Sequence, residues 1–229
     1  MKFEKTEVFN FEGALRGMRN PLESWEKSDS YRRDTKWDMF PTRGVKIYDD
    51  IYFFIGKNDL ELAQKLIKAG SVHRKFLRQI FVSVDITAPL YWWKEFDTYK
   101  VGTVANSTST MHKLASTPIT KDCFEMDDFD NSIIMPFREL NLEHNWNADI
   151  VLFEFLRQKY NETKDKRYWK ELIRLLPESW LQKRTISMNY ENILNIIKHR
   201  KSHKLSEWSE SFIDWTKSLP YANELLFLK

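Results

Sequence analysis

The segment from Ile80 to Ala88 repeats with a strict period of two. Every second residue is aliphatic, and the residues between them are Phe81, Ser83, Asp85 and Thr87. Because successive side chains of a strand point to opposite faces, this pattern predicts a nine-residue strand with one face in a core. Pro89 cannot donate to a strand ladder and suits the first turn of a helix, so we expect a helix over LYWWKEFDTYK to follow.

A strand of this kind needs partner strands and a core, and the chain can supply both. It has 229 residues, of which 42% are hydrophobic, 15% aromatic and 30% charged, as in globular proteins. A net charge of +3 is too small to predict a polyanionic partner by itself. Cys123 is the single cysteine, which excludes an internal disulfide and fits a reducing compartment. No leader or membrane span is recognisable, so we expect a cytoplasmic protein without a membrane partner.

Helical spacing recurs in three further segments: 57–70, 145–160 and 166–176. In the first, Asn58 and Glu61 resemble a capping box, and Gly70 suits the position after a helix end. Pro177 ends the third. With no internal repeat and no linker, these elements predict an α/β (α+β) fold, a single domain with a central sheet and helices over residues 1–229.

The segment MNYENILNIIKHRKSH, residues 188–203, has an apolar stripe of Tyr190, Ile193, Leu194 and Ile197 at helical spacing. Asn189 and Arg200 are eleven residues apart and therefore share one flank of the predicted helix. Asparagine is a poor helix former, so the three asparagines at 189, 192 and 195 need a reason beyond propensity.

A polar stretch, EFDTYKVGTVANSTST, runs from Glu95 to Thr110 and carries six hydroxyl residues with one glycine. It follows the predicted strand and helix. Taken alone it predicts a solvated loop, because it lacks the several glycines of a phosphate-binding loop. A ligand rich in oxygen atoms is the alternative.

Residues 189–203 resemble the C-terminal signature helix of flavin-dependent thymidylate synthases, an Asn, a second Asn and an Arg at fixed spacing with a His close behind. Asn189, Asn195, Arg200 and His203 match it. The order of the upstream elements is also similar, and includes the proline-ended run Arg174 to Pro177. The resemblance covers roughly residues 58–215.

The resemblance implies a homotetramer that binds FAD and dUMP at subunit interfaces. In this family NADPH reduces the flavin, methylene-tetrahydrofolate supplies the carbon, and no cysteine attacks the pyrimidine. By position, Arg200 is the implied catalytic residue, which holds and polarises the pyrimidine. The other implied nucleotide-binding residues are Glu95, Asn106, Thr108, Thr110 and Arg174. The implied flavin-binding residues are Arg78, Thr98, Tyr99, Lys100, Asn189 and Asn195.

The sequence departs from the family in the polar stretch. Where the family has Arg-His-Arg, this chain has Thr98, Tyr99 and Lys100, and the later Ser and Arg positions are Thr108 and Thr110. At least two positive charges are therefore missing from the implied phosphate region. The nearby cations that are candidates to replace them are Arg74, Arg78, Lys94 and Lys113. Otherwise the site takes a less anionic ligand, which keeps another pyrimidine nucleotide open as the substrate.

A second alternative is a protein that binds nucleotides or nucleic acid without catalysis. The Lys/Arg-rich segments 74–78 and 198–204 and the nine tryptophans would supply charge and stacking. We consider a nucleic-acid partner less consistent with the small net charge. Trp92 and Trp93 either pack in the core or stack on a ligand, and residues 17–34 form either a mobile lid or an ordinary loop. His199 and His203 have i, i+4 spacing, but a helix-end charge effect explains them better than zinc.

Overall fold

A computed structural model describes residues 1–34, 44–48, 51–130, 133 and 146–228. Its strands form two sheets. The larger has the strand order β1-β5-β7-β6 and the smaller the order β2-β4-β3. The strands are β1 (Lys2–Phe9), β2 (Tyr31–Asp34), β3 (Val45–Tyr48), β4 (Ile51–Phe54), β5 (Phe81–Pro89), β6 (Val104–Ser107) and β7 (Leu181–Asn189).

Helices make up much of the rest of the described chain. They are α1 (Phe11–Arg19), α2 (Lys57–Lys68), α3 (Leu90–Phe96), α4 (Thr110–Lys113), α5 (Trp146–Thr163), α6 (Lys166–Leu175), α7 (Tyr190–Arg200), α8 (Ile213–Lys217) and α9 (Ala222–Leu225), with a π-helical turn at Glu207–Phe212. The predicted mixture of helix and sheet is confirmed. Within the described residues, no helix is long and apolar enough to cross a membrane.

The predicted elements are present with modest shifts. The period-two segment forms β5, and its aliphatic residues Val82, Val84, Ile86 and Ala88 are buried. The helix predicted over 90–100 ends at Phe96. The helix predicted over 145–160 is described from Trp146, because Asn145 lies outside the described residues. Residues 104–107 and 110–113 form a strand and a short helix, so the polar stretch is not wholly a loop.

One prediction about α2 is wrong. Asn58 does not cap this helix, since the N-cap residue is Gly56. The carboxylate of Asp29 instead accepts hydrogen bonds from the backbone N–H groups of Asn58 (2.9 Å) and Asp59 (3.1 Å). A cap from about thirty residues away satisfies the same orphan donors as a local one, and it leaves no local sequence signal. Gly70 follows the helix with a φ of +106°, as predicted.

The described chain groups into two compact units, and the single-domain organisation stays a prediction. Unit 1 comprises residues 1–2, 87–97 and 106–184. Its apolar cluster contains Leu114, Ile119, Phe124, Phe153, Leu156 and Leu172. Trp92 and Trp93 are also fully buried in this unit, and Trp93 Nε1 donates to the carbonyl of Gln182 at 2.9 Å. Of the two alternatives for these tryptophans, core packing is therefore the correct one.

Unit 2 comprises residues 3–86, 98–105 and 185–229. The predicted apolar stripe of α7 faces its core, and Tyr190 packs edge-on against Phe11 at 5.4 Å between ring centroids. Tyr190 donates its hydroxyl proton to the carbonyl of Pro220 (2.7 Å), which satisfies the one polar atom of a fully buried ring. Helix α7 is thus fixed on its apolar side, and its other side is the one that bears the three asparagines.

Residues 17–34 are held in place within unit 2 by a buried ion pair. Arg19 Nε lies 2.5 Å from Asp59 Oδ1, and the two side chains are 4% and 0% exposed. The Arg19 guanidinium also donates to the carbonyl of Lys27 (3.1 Å), and the hydroxyls of Ser28 and Ser30 donate to Asp59. The segment is not wholly a loop, because it contains the end of α1 and the strand β2, and a role as a lid stays a prediction.

Candidate functional site

The start of helix α7 explains two of its three asparagines. Asn189 is the N-cap residue, and its Oδ1 accepts from the backbone N–H of Asn192 at 2.9 Å. Asn192 Oδ1 accepts in return from the backbone N–H of Asn189 at 3.1 Å. This is a reciprocal capping box built from two asparagines. Their first role is therefore structural, and a polar residue immediately before an apolar-periodic segment was the signal for it.

Asn192 also holds the loop 98–103 against the helix. Asn192 Nδ2 donates to the carbonyl of Val101 at 2.7 Å. Gly102 has a φ of +77°, and a Cβ at this position would lie 3.0 Å from Asn192 Oδ1 and 3.2 Å from Asn189 Nδ2. Glycine suits this position because it adopts a positive φ at little cost and lets the two amides approach closely. The sequence drew attention to this single glycine but did not predict its contact.

The loop and the helix line a concave surface, which we call the amide groove. It encloses about 640 Å³, which is within the size range of small-molecule sites. All six residues that the family resemblance assigns to flavin line it, namely Arg78, Thr98, Tyr99, Lys100, Asn189 and Asn195. The sequence assigned no ligand to its other lining residues, which are Ser71, Val101, Gly102, Glu191, Asn192 and His199.

The third asparagine, Asn195, belongs to a buried polar cluster below the groove. Arg74 and Glu191 form a two-pronged ion pair, with Nε to Oε2 at 2.8 Å and Nη2 to Oε1 at 3.0 Å. Arg74 Nη2 also donates to Asn195 Oδ1 at 3.3 Å. Arg74 and Glu191 are only 7% and 6% exposed. Arg74 is therefore neither part of a solvated basic face nor available to replace a missing phosphate-binding arginine.

These contacts give the amide groove a one-sided hydrogen-bonding character. The Oδ1 atoms of Asn189 and Asn195 are both bound to protein donors, so each side chain can offer a ligand its Nδ2 donor. Arg78 and Lys100 are exposed and add positive charge at the rim. Such a donor set suits a ligand with carbonyl or phosphate oxygens.

Arg200 lies at the end of α7 in an aromatic setting. Its Nε donates to the hydroxyl oxygen of Tyr99 at 2.8 Å. The guanidinium carbon is 4.9 Å from the ring centroid of Trp208 and 5.5 Å from that of Tyr99, within the range of cation–π contacts. Tyr99 also lies nearly parallel to the ring of His199, at 6.4 Å. The half-buried arginine is thus oriented by Tyr99, on the loop that also carries Thr98 and Lys100.

The predicted nucleotide-binding residues other than Arg200 are in unit 1. Arg174 is exposed and pairs with Glu171 one helical turn away. Thr108 is exposed, and its backbone N–H and carbonyl are bound to Lys183 (2.9 Å) and Gln182 (2.8 Å). Of the remaining three, Glu95 is half-buried on α3, Asn106 is exposed on β6, and Thr110 begins α4. Their nucleotide contacts stay a prediction.

The structure also bears on the alternatives. Lys94, a candidate replacement cation, is paired with Glu178 at 2.5 Å, whereas Lys113 is exposed on α4. Trp92, Trp93 and Trp208 are fully buried and cannot stack on the bases of a nucleic acid. Over the described part of the chain, no group of three or more His, Cys, Asp and Glu side chains could hold a metal ion.

Two solved structures share this fold over almost the whole chain. One is the flavin dependent thymidylate synthase ThyX from Helicobacter pylori complexed with FAD and dUMP, with 17% identity, a TM-score of 0.63, and coverage of 99% of this chain and 98% of that chain. The other is Thymidylate Synthase X from the same organism with FAD and dUMP, with 18% identity, a TM-score of 0.63, and coverage of 99% and 97%. No protein-family model matches the chain, and no curated protein matches its sequence. The predicted flavin-dependent thymidylate synthase-like fold is confirmed.

Proposed function

We propose that this chain is a divergent flavin-dependent thymidylate synthase. It binds FAD in the amide groove and converts dUMP to dTMP with methylene-tetrahydrofolate and NADPH as co-substrates. The observation that carries the proposal is the grouping of the six implied flavin residues. They come from three segments that are distant in sequence, and all six line one groove of suitable size.

The residues of the amide groove fit FAD by their chemistry. Asn189 and Asn195 offer amide donors to carbonyl oxygens, and Arg78 and Lys100 offer charge to phosphate oxygens. FAD, when bound, supplies the ring that accepts and donates a hydride. The protein holds and orients that ring, and the loop 98–103 forms one wall of its site.

Arg200 has the role of activating the pyrimidine. Its guanidinium is a planar fork of hydrogen-bond donors, and Tyr99 and Trp208 fix its direction. A preoriented cation stabilises negative charge that develops on a pyrimidine carbonyl during the reaction. Glu95, Asn106, Thr108, Thr110 and Arg174 complete nucleotide binding in this proposal, and assembly as a cytoplasmic homotetramer belongs to it as well.

The charge missing from Thr98 and Thr110 bears on which nucleotide binds. Two of the four candidate replacement cations, Arg74 and Lys94, already have carboxylate partners. Arg78 and Lys113 are the remaining two. A charge-assisted hydrogen bond contributes about 1.5–3 kcal/mol, so a site with fewer of them favours weaker phosphate dependence than in the family. Another pyrimidine nucleotide is the alternative substrate that this observation supports.

The first test is the visible absorption spectrum of the purified protein, recorded alone, after addition of FAD, and again after dUMP. We expect bound flavin and a further shift of its bands when dUMP binds. A protein that binds no flavin in excess FAD would overturn the proposal. Repeating the last step with dCMP and with the unphosphorylated nucleoside identifies the pyrimidine and measures its dependence on phosphate.

The second test replaces Arg200 with alanine. We expect the Arg200→Ala variant to fold and to retain flavin while it loses dTMP formation. Arg167→Ala is the control, because Arg167 is 89% exposed and its ion pair with Asp165 is two residues away in the chain. Unchanged turnover in Arg200→Ala would remove this arginine from the mechanism without affecting the assignment of the flavin site.

A further inference from the structure

The buried pair Arg74–Glu191 has one feature that its own stability does not require. Two prongs of the Arg74 guanidinium bind the Glu191 carboxylate at 2.8 and 3.0 Å. The third contact goes to Asn195 Oδ1, at 3.3 Å, on a side chain that lines the amide groove. The pair therefore connects the core to a ligand-facing amide.

An arginine can only donate hydrogen bonds, and this fixes the sense of the Asn195 amide. If the amide were turned over, its Nδ2 donor would face the Arg74 donor and both groups would lose a partner in a nearly dry environment. The oxygen of Asn195 must therefore face Arg74, and its nitrogen is left for the groove. Asn189 also has its amide nitrogen left for the groove, because its Oδ1 accepts a hydrogen bond from the backbone N–H of Asn192.

Glu191 allows the Arg74 guanidinium to be buried. A lone guanidinium at 7% exposure would be strongly destabilising, and the carboxylate neutralises it without adding net charge below the groove. The planar fork also fixes the direction of the third N–H. A lysine could pair with Glu191 but could not present a fixed N–H to Asn195 at the same time.

We infer that Arg74 is a positioning residue of the amide groove. Held by Glu191, it fixes Asn195 with Nδ2 toward the ligand, so that the ligand atom at this point is a hydrogen-bond acceptor. The inference rests on the proposed function in one respect, that the ligand is FAD. The orientation of the amide is a property of the protein without ligand, and it can be tested separately.

The ligand-free test measures the order of the Asn195 side-chain amide by ¹⁵N relaxation, with its signal assigned by its loss in Asn195→Ala. We expect a rigid amide in the wild type and a mobile one in Arg74→Lys, with Asn189 rigid in both. Arg19→Lys is the matched control, because it alters an equally buried arginine–carboxylate pair that does not line the groove. An Asn195 amide that is equally ordered in the wild type and Arg74→Lys would overturn the inference.

The ligand-bound test is a double-mutant cycle on FAD affinity. Loss of one neutral hydrogen bond weakens binding by about three- to tenfold, so we expect such a loss in Arg74→Lys and in Asn195→Ala. If Arg74 acts through Asn195, the double variant binds no more weakly than Asn195→Ala alone. Losses that simply multiply would mean that Arg74 acts only on the general structure, and would overturn the inference.

The two tests separate this inference from the proposed function. A wild type that binds no FAD refutes the proposed function, and the relaxation result then decides the positioning role alone. If Arg74→Lys does not fold, Asn195→Asp replaces it in the test. One oxygen of the introduced carboxylate still accepts from Arg74, while the other puts an acceptor in the groove where Asn195 offers a donor. We therefore expect Asn195→Asp to bind FAD more weakly than Asn195→Ala. Wild-type affinity in Asn195→Asp would overturn the inference.

Discussion

Two buried arginine–carboxylate pairs among the described residues, Arg19–Asp59 and Arg74–Glu191, differ in where their remaining hydrogen bonds go. Arg19 and Asp59 bind Ser24, Lys27, Ser28 and Ser30, all within one loop. Arg74 instead binds an asparagine that lines the amide groove. Both pairs are more than nine-tenths buried, so burial alone does not reveal the role of such a pair. The role is indicated by the atoms to which the pair makes its other hydrogen bonds.

Disruption of the pair Arg19–Asp59 should have the largest effect on the stability of the protein. Asp59→Asn leaves a buried arginine without its counter-charge, which lowers the free energy of unfolding by about 3–5 kcal/mol. Urea denaturation at pH 7 measures this loss, and FAD affinity of the folded protein should not change. Asp214→Asn is the control, because it removes a surface pair with Lys217 in which Asp214 is 71% exposed. Similar losses in both variants would show that the Arg19 network is not structural.

Disruption of the pair Arg74–Glu191 should lower both the stability of the protein and its affinity for FAD. Glu191→Gln keeps one acceptor for Arg74 but removes the charge, so we expect a loss of about 2–3 kcal/mol in unfolding free energy. Because Asn195 is no longer held firmly, FAD affinity should fall by about fivefold. Denaturation and flavin titration on the same sample measure the two effects. A stability loss with unchanged affinity would make this pair equivalent to Arg19–Asp59.

The N-cap residue allows a structural bond and a ligand bond to be separated on one side chain. Asn189→Ala should cost about 1 kcal/mol of stability by loss of the cap. Asn189→Asp retains an acceptor for the Asn192 N–H, so its stability should be close to that of the wild type. Both variants lack Nδ2 and should bind FAD about three- to tenfold more weakly. Wild-type binding by Asn189→Asp would exclude this amide from ligand contact.

A third pair, Glu154–Arg157 in unit 1, provides a less buried case for comparison. The hydrogen bonds from Arg157 lower the pKa of Glu154 from 4.5 to about 2, helped by the Ile119 N–H and Gln158 and opposed by partial burial. A folded-state pKa below the unfolded one stabilises the protein above about pH 4.5, and this stabilisation is lost as the pH falls toward 2. We expect a contribution of about 1 kcal/mol, reduced by solvent screening. Urea midpoints between pH 5 and 3 should fall less in Glu154→Gln than in the wild type.

The elements with a long, regular pattern could be predicted from the sequence. Strand β5 and helix α7 each extend over nine or more residues, so their hydrophobic periods are unambiguous. The small sheet was missed because its three strands have four residues each, and all four residues of β2 are exposed. A four-residue strand without a buried face carries no hydrophobic period.

The groove was predicted only in part, for a different reason. Asn189, Asn195 and Lys100 could be selected by their spacing in a known pattern. The contact between Arg74 and Glu191 joins residues 117 positions apart, and nothing near either residue marks the other. The sequence can therefore indicate which side chains meet a ligand, but not which of their atoms are already engaged. Which atoms are engaged depends on contacts that form only when segments distant in sequence pack together.

Gly102 sets a limit on how this loop can be altered. Its backbone has a positive φ, and a Cβ added to it would lie only 3.0 Å from Asn192 Oδ1 and 3.2 Å from Asn189 Nδ2. Thr98 and Lys100 are exposed on the same loop, so an arginine at either position is compatible with the fold. A side chain at position 102 would have to adopt a positive φ and push the amides of Asn189 and Asn192 aside by a few tenths of an ångström, so substitutions there act on the cap of the helix that carries the site.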